Sequence, residues 1–115
     1  MDWVLSDSVL TGIYNKAPDI PSSYSLSQNY PNPFNPVTTI NFSVYKTSFV
    51  IIKVFDILGN EVAALVNEIK HAGNYSKEFN AATLSSGVYF YRMYAVPSSG
   101  SGKAFIETRK LILVK

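Results

Sequence analysis

Apolar and polar residues alternate in short segments along most of the chain, and this period of two limits the possible folds more than any other feature of the sequence. In residues 37–44, Ile40, Phe42 and Val44 occupy every second position, which is typical of a half-buried β-strand. Residues 49–58 form an almost unbroken apolar run, which predicts a central strand buried on both faces. The chain therefore consists mainly of strands.

Turn-forming residues separate these segments at short intervals. Gly59 and Asn60 lie between two apolar runs and predict a two-residue hairpin, and residues 97–102 read as a flexible turn. The other strand-like segments are residues 24–28, 74–80, 88–96, 104–106 and 111–114. A composition of 47% hydrophobic, 14% aromatic and 16% charged residues also favours strands. We expect an all-β fold, an immunoglobulin-like antiparallel β-sandwich of about seven strands.

One segment fits two structures. Val62, Leu65, Val66 and Ile69 have the spacing of one face of a helix. The stretch between Gly59 and Gly73 is short for a helix with its connections, so a strand of about six residues is the preferred interpretation.

The first residues differ from the rest. Residues 1–23 hold a short apolar stretch followed by Pro18 and Pro21 among small polar residues, which indicates a linker or the tail of a preceding domain. The start of the chain lacks the basic and apolar regions of a signal peptide, and no apolar run reaches the roughly 18 residues of a membrane span. We expect residues 24–115 to form the folded domain, without membrane insertion.

The polar residues exclude several function classes. Ten Lys and Arg against eight Asp and Glu are scattered along the chain, so no nucleic-acid-binding patch is indicated. The chain has no cysteine and a single histidine, His71, around which neither a zinc site nor a catalytic triad can be built. Asp56 lacks enough neighbouring oxygen ligands for calcium and is expected to form an Asx turn. We expect no enzyme activity, cofactor or metal.

Residues 29–36 are rich in proline and asparagine. Proline lacks a backbone N–H, so this stretch is predicted to be an ordered turn or a crossing between sheets and not the interior of a strand. A role in recognition by a partner is the alternative.

The sequence resembles the type A C-terminal sorting domains of the type IX secretion system. The similarity begins with QNYPNPFNPVTTINF at residues 28–42 and continues in order with VFDILGNEV at residues 54–62 and AGNY at residues 72–75. It ends with LSSGVYFYR at residues 84–92 and RKLILVK at residues 109–115.

This resemblance implies an immunoglobulin-like sandwich that directs an N-terminal cargo through the outer membrane. It implies transit through the periplasm and then a location at the cell surface or outside the cell. The implied partners are the outer-membrane translocon and a sortase-like surface peptidase that removes the domain, within residues 15–23 by our expectation. The position of the linker, before the domain, suits a detachable terminal module.

Some residues are candidates for recognition by the translocon. These are Pro31, Asn32, Pro33, Asn35, Pro36, Gly87, Tyr89, Arg109, Lys110, Leu111 and Lys115. Charges near the last strand could instead protect a sheet edge from aggregation. The rival function is an extracellular carbohydrate- or surface-binding module. Its sugar platform would come from Tyr89, Phe90, Tyr91 and Tyr94, although most of these side chains are expected in the core.

Overall fold

Seven β-strands make up the domain in the computed structural model, which describes residues 20–99 and 102–115. The strands are β1 (Ser25–Leu26), β2 (Val37–Val44), β3 (Ser48–Phe55), β4 (Glu61–Lys70), β5 (Gly73–Asn80), β6 (Gly87–Pro97) and β7 (Phe105–Leu113). Most of the expected linker over residues 1–23 lies outside the described residues. In the described part of the chain, no helix is long and apolar enough to cross a membrane.

The strands form two antiparallel sheets. One sheet has the order β1-β2-β5 and the other the order β4-β3-β6-β7. All pairs within them run antiparallel. The prediction of an all-β antiparallel sandwich of seven strands is confirmed.

The core lies between the two sheets and follows from the alternation in the sequence. In β2, Ile40, Phe42 and Val44 are buried, and in β3 the buried residues are Val50, Ile52 and Val54. Burying an aliphatic or aromatic side chain of this size contributes roughly 1.5–3 kcal/mol. The polar residues between them face solvent or the outer surface of the sheet.

Two predictions for β3 are wrong. The strand is central, between β4 and β6, but only one of its faces is buried, and Phe49 on the other face is exposed. The following hairpin is not a two-residue turn, because residues 56–60 connect β3 to β4. The Asp56 carboxylate accepts hydrogen bonds from the N–H groups of Leu58 and Asn60, both at 2.9 Å, which confirms the Asx turn and lengthens the loop.

The ambiguous segment is a strand, as preferred, but longer than expected. β4 has ten residues, and its register against β3 shifts between Ile52 and Lys53 and again between Val54 and Phe55. Such bulges change which side chains face the core. The side chains of Val62, Ala63, Leu65 and Val66 all contact the core. The bulges explain why this strand has an apolar spacing that imitates a helix.

The remaining strands agree with the sequence with small differences. The first predicted strand is reduced to β1, and the two apolar stretches after residue 103 belong to one continuous strand, β7. β1 and β7 are edge strands on one side of the sandwich, where Arg109 of β7 reaches the Leu26 carbonyl of β1. β4 and β5 are edge strands of their sheets on the other side.

Candidate functional site

The proline-rich segment, residues 29–36, lies along the outer edge of β7. Phe34 N–H donates to the Ile112 carbonyl at 2.9 Å, and Val114 N–H donates to the Phe34 carbonyl at 3.0 Å. Asn32 Oδ1 accepts the Ile112 N–H at 2.9 Å. We call this arrangement, residues 26–36 together with β7 and residues 114–115, the closed side of the sandwich.

Phe34 anchors the segment. Its side chain is only 2% exposed, and its ring centroid lies 6.1 Å from that of Phe79 in β5. The segment is therefore held by an apolar plug as well as by backbone hydrogen bonds. Sequence reasoning did not select Phe34, although it is the one large apolar side chain in the second half of the proline-rich segment.

A buried amide fixes the start of the segment. Asn29 Nδ2 donates to Thr38 Oγ1 at 3.0 Å and to the Pro31 carbonyl at 3.1 Å, and Thr38 Oγ1 donates to the same carbonyl at 2.8 Å. Gln28 Nε2 donates to Asn29 Oδ1 and to the Lys110 carbonyl, both at 2.7 Å. The turn is thereby tied both to β2 and to β7, which agrees with the structural role expected for these residues.

Polar side chains also bridge the two sheets. Arg109 Nε donates to the Leu26 carbonyl at 2.6 Å, and its Nη2 lies 2.8 Å from Glu107 Oε2. The Tyr91 hydroxyl donates to the Ser27 carbonyl at 2.6 Å. Burial raises the pKa of Tyr91, so the phenol remains a protonated donor well into the alkaline range.

The last residue is fixed by two of its groups. Lys115 Nζ donates to the carbonyls of Ala82 and Leu84 at 2.7 and 2.8 Å, and its backbone N–H donates to Ser86 Oγ at 2.9 Å. Gly87, which follows this loop, has a φ of 155°, a conformation that L-residues rarely adopt. The loop between β5 and β6 is thus held against the end of the chain.

The candidate recognition residues divide into exposed and buried groups. Pro31, Asn32, Pro33, Asn35, Lys110 and Lys115 are exposed. Leu111 and Tyr89 are core residues, and the Tyr89 hydroxyl donates to the Ser85 carbonyl at 2.7 Å. Pro36 is half-buried, and its carbonyl accepts the Ala81 N–H. The structure brings the proline-rich segment and the last strand together, which their separation in sequence did not reveal.

The aromatic residues of β6 alternate between the two faces of the sheet. Two of the four aromatics expected mostly in the core, Tyr89 and Tyr91, are buried, whereas Phe90 is half-buried and Tyr94 is 37% exposed on the outer face. There a shallow concavity of about 340 Å³ is lined by Ile51, Lys53, Phe55, Arg92, Tyr94 and Ile106. The Arg92 guanidinium lies 4.9 Å from the centre of the Phe55 ring, within the range of a cation–π contact.

Neither Asp56 nor His71 belongs to a metal site in the described residues, which contain no cluster of three or more metal-ligating side chains. The backbone N–H of Asn60 is the main reason why the pKa of Asp56 lies below its usual value, and the loop's other hydrogen bonds to this carboxylate act in the same direction. His71 Nδ1 lies 3.3 Å from Thr47 Oγ1 at an exposed turn. Asp56 therefore acts as a turn residue.

Comparison with known families identifies the domain. The sequence profile of the family described as "Secretion system C-terminal sorting domain" matches residues 28–107. The chain belongs to this family, the C-terminal sorting domains of type IX secretion. No curated protein matches the chain.

Membership gives the sorting domain its general role. It is a C-terminal sorting signal of the type IX secretion system, and a sorting signal is not itself an enzyme. The domain associates with the type IX secretion machinery and is attached to a cargo on its N-terminal side. Its destination lies towards the cell surface or the extracellular space.

Proposed function

We propose that this sorting domain passes through the periplasm and delivers an N-terminally attached cargo to the outer-membrane translocon of the type IX system. A sortase-like surface peptidase then removes the domain. The observation that supports this proposal is the closed side, because the proline-rich segment and the last strand form one folded surface there. A folded signal of this kind presents a fixed shape to a partner, which lowers the entropy cost of recognition.

The exposed part of the closed side is the surface that we assign to the translocon. Pro31, Pro33 and Asn35 are exposed in the proline-rich segment, and Lys110 is exposed on the neighbouring strand. The proline rings fix the backbone, and Lys110 adds a positive charge. Leu111 and Tyr89 support this surface from within the core, and Gly87 is half-buried at the start of β6.

Delivery of a reporter tests the function. A periplasmic reporter is fused before Met1 of the whole chain and expressed in a bacterium that has the type IX apparatus. We expect the reporter at the cell surface, and a chain that lacks residues 111–115 should leave it in the periplasm. Surface delivery that continues without these residues contradicts the proposal.

Deletion also removes Leu111 and Leu113 from the core, so a surface substitution is needed as a second test. Lys110→Glu reverses an exposed charge on the closed side, and Lys77→Glu does the same on β5 at the other side of the sandwich. We expect Lys110→Glu to reduce delivery severalfold and Lys77→Glu to leave it unchanged. Equal delivery by both variants would place the recognised surface elsewhere.

Removal of the domain has its own test. The peptide bond that the peptidase cuts should lie within residues 15–23, before the first strand. Mass spectrometry of the released cargo locates its C-terminal residue. A cargo that ends within the sandwich, after Tyr24, contradicts this part of the proposal.

The concavity on the outer face supports a second candidate function, the binding of a carbohydrate or another extracellular surface. Tyr94 and Phe55 line it, and aromatic faces of this kind stack on sugar rings. NMR titration of the chain with a panel of oligosaccharides tests this function. Binding that is lost in Tyr94→Ala but kept in Tyr30→Ala, an exposed tyrosine outside the concavity, would support it.

A further inference from the structure

Among the strands of residues 20–99 and 102–115, none pairs with the outer side of one part of β7. Both the N–H and the C=O of Ile112 point away from β6, since the N–H donates to the Asn32 side chain and the C=O accepts from the Phe34 N–H. By the period of two of a strand, the backbone groups of Lys110, Thr108 and Ile106 point the same way. Gln28 bonds to the Lys110 carbonyl, and the hydrogen bonds of the described residues include none to the outward groups of Thr108 and Ile106. We call residues 106–110 the free edge, although the Lys110 carbonyl within it already accepts the Gln28 side chain. A carbonyl oxygen has two lone pairs, so it can accept a second hydrogen bond from an added strand.

The free edge is complementary to itself. If a second copy of the chain lies antiparallel to it with Thr108 opposite Thr108, the inner face places Glu107 of each copy opposite Arg109 of the other. On the outer face, Ile106 lies opposite Lys110, whose methylene groups can cover it. Opposite charges and paired threonines at directly facing positions both stabilise antiparallel sheets.

Other registers are disfavoured by the same charges. A shift that centres the pairing on Glu107 puts two glutamates opposite each other, and a shift that centres it on Arg109 puts two arginines opposite each other. Directly opposed like charges destabilise a strand pair. Beyond the free edge, Asn32 and Phe34 already occupy the backbone groups of β7, so a longer pairing is blocked.

We propose that two copies of this domain associate through residues 106–110 of β7, antiparallel and centred on Thr108, and join their four-stranded sheets into one continuous sheet. Inward-facing charges on an edge strand usually prevent edge-to-edge pairing. Here the two inward charges, Glu107 and Arg109, are of opposite sign and lie 2.8 Å apart within one copy. They therefore favour pairing with a second copy in the register centred on Thr108. The short pairing predicts a weak and reversible dimer.

Charge variants of the whole chain test this pairing by sedimentation equilibrium over a range of concentrations. Glu107→Arg and Arg109→Glu each place like charges opposite one another, and each should raise the dimer dissociation constant about tenfold or more. An equimolar mixture of the two variants restores both opposite-charge pairs and should form a heterodimer. Lys77→Glu, on the far side of the sandwich, is the control and should dimerise like the parent chain.

A monomeric parent chain at millimolar concentration overturns the proposal, and so does a dimer that neither single variant weakens. A mixture that associates no better than the separate variants also overturns it. Near-UV circular dichroism shows whether each variant is folded, because Arg109→Glu also loses the hydrogen bond to Leu26. If that variant does not fold, Thr108→Pro replaces it, because this substitution keeps the Arg109 bond to Leu26 and removes the outward N–H at the centre of the pairing. Thr108→Pro should weaken the dimer about tenfold or more, and a variant that dimerises like the parent chain overturns the proposal.

Discussion

The two sides of the sandwich protect their strand edges in different ways. On the closed side, the proline-rich segment covers one end of β7 with backbone hydrogen bonds, and Phe34 fills the space beneath it. On the side formed by β4 and β5, which we call the open side, β4 carries bulges and ion pairs such as Lys53 with Glu61 at 3.1 Å. Both devices discourage uncontrolled strand addition. In the part of the chain that the structure describes, the closed side does so with buried groups such as Phe34, so it should contribute far more to stability.

The largest effect is expected for Phe34→Ala. The buried ring leaves a cavity that the rigid neighbours cannot fill, and such changes cost about 3–5 kcal/mol. Urea unfolding of the chain measures this loss. Tyr30→Ala in the same segment is the control, because Tyr30 is 81% exposed, and its effect should stay within about 0.5 kcal/mol. Equal effects of the two variants would mean that the segment does not anchor the closed side.

Asn29→Ala should have the next largest effect. The substitution removes the amide that donates to Thr38 and Pro31 and leaves buried polar groups without a partner, at a cost of about 1–3 kcal/mol. Asn35→Ala changes an exposed asparagine of the same segment and should cost less than about 0.5 kcal/mol. Urea midpoints that are the same for both variants would contradict a structural role for Asn29.

The open side should respond much less. Lys53 and Glu61 are partly exposed, and solvent screens their attraction, so the coupling between them should stay below about 1 kcal/mol. A double-mutant cycle with Lys53→Ala and Glu61→Ala measures this energy in isolation. A coupling as large as the effect of Asn29→Ala would remove the difference between the two sides.

The smallest effect concerns the turn at the end of the open side. The N–H of Asn60 and the other hydrogen bonds of the turn hold the pKa of Asp56 below its usual value in the folded chain. The stabilisation that Asp56 gives the folded chain is therefore fully present above the pKa that this carboxyl has in the unfolded chain. It is lost as the pH falls through the lower pKa of the folded chain. An NMR titration of the Asp56 carboxyl should find the lowered pKa. In Asp56→Asn, which keeps an acceptor oxygen, this part of the acid dependence should be absent. An Asp56 carboxyl that titrates at its usual value contradicts the argument.

Local patterns predicted much of the fold. The alternation in β2 identified both the strand and the residues that face the core, such as Ile40, and the aromatic run of residues 88–96 identified β6 as a strand. The Asx turn at Asp56 was also predictable, because a short polar side chain bonds to backbone groups only a few residues away.

Features that depend on distant neighbours were not predictable. The bulges of β4 arise from its pairing with β3, which the sequence does not show. Leu65 and Val66 both contact the core because of these bulges, and in the sequence alone their spacing is that of a helix face. The outer face of β3 has no covering layer in the described residues, so an apolar run that suggested burial on both faces leaves Phe49 exposed.

The candidate site was predictable only in part. The proline-rich segment and the last strand were both selected from the sequence, but their contact joins residues that are far apart in the chain. Gln28 and Phe34 were missed because their roles depend on the backbone of Lys110 and Ile112. Leu111 was selected as a recognition residue, and the structure places it in the core.

The bond between Asn32 and Ile112 spans 80 positions of the chain. During synthesis, the proline-rich segment therefore leaves the ribosome long before its partner strand exists, and contacts of such long range form late in folding. A polypeptide that is interrupted or clipped ahead of Ile112 lacks the second half of this contact and cannot form the closed side. The formed closed side thus reports that synthesis has continued through β7.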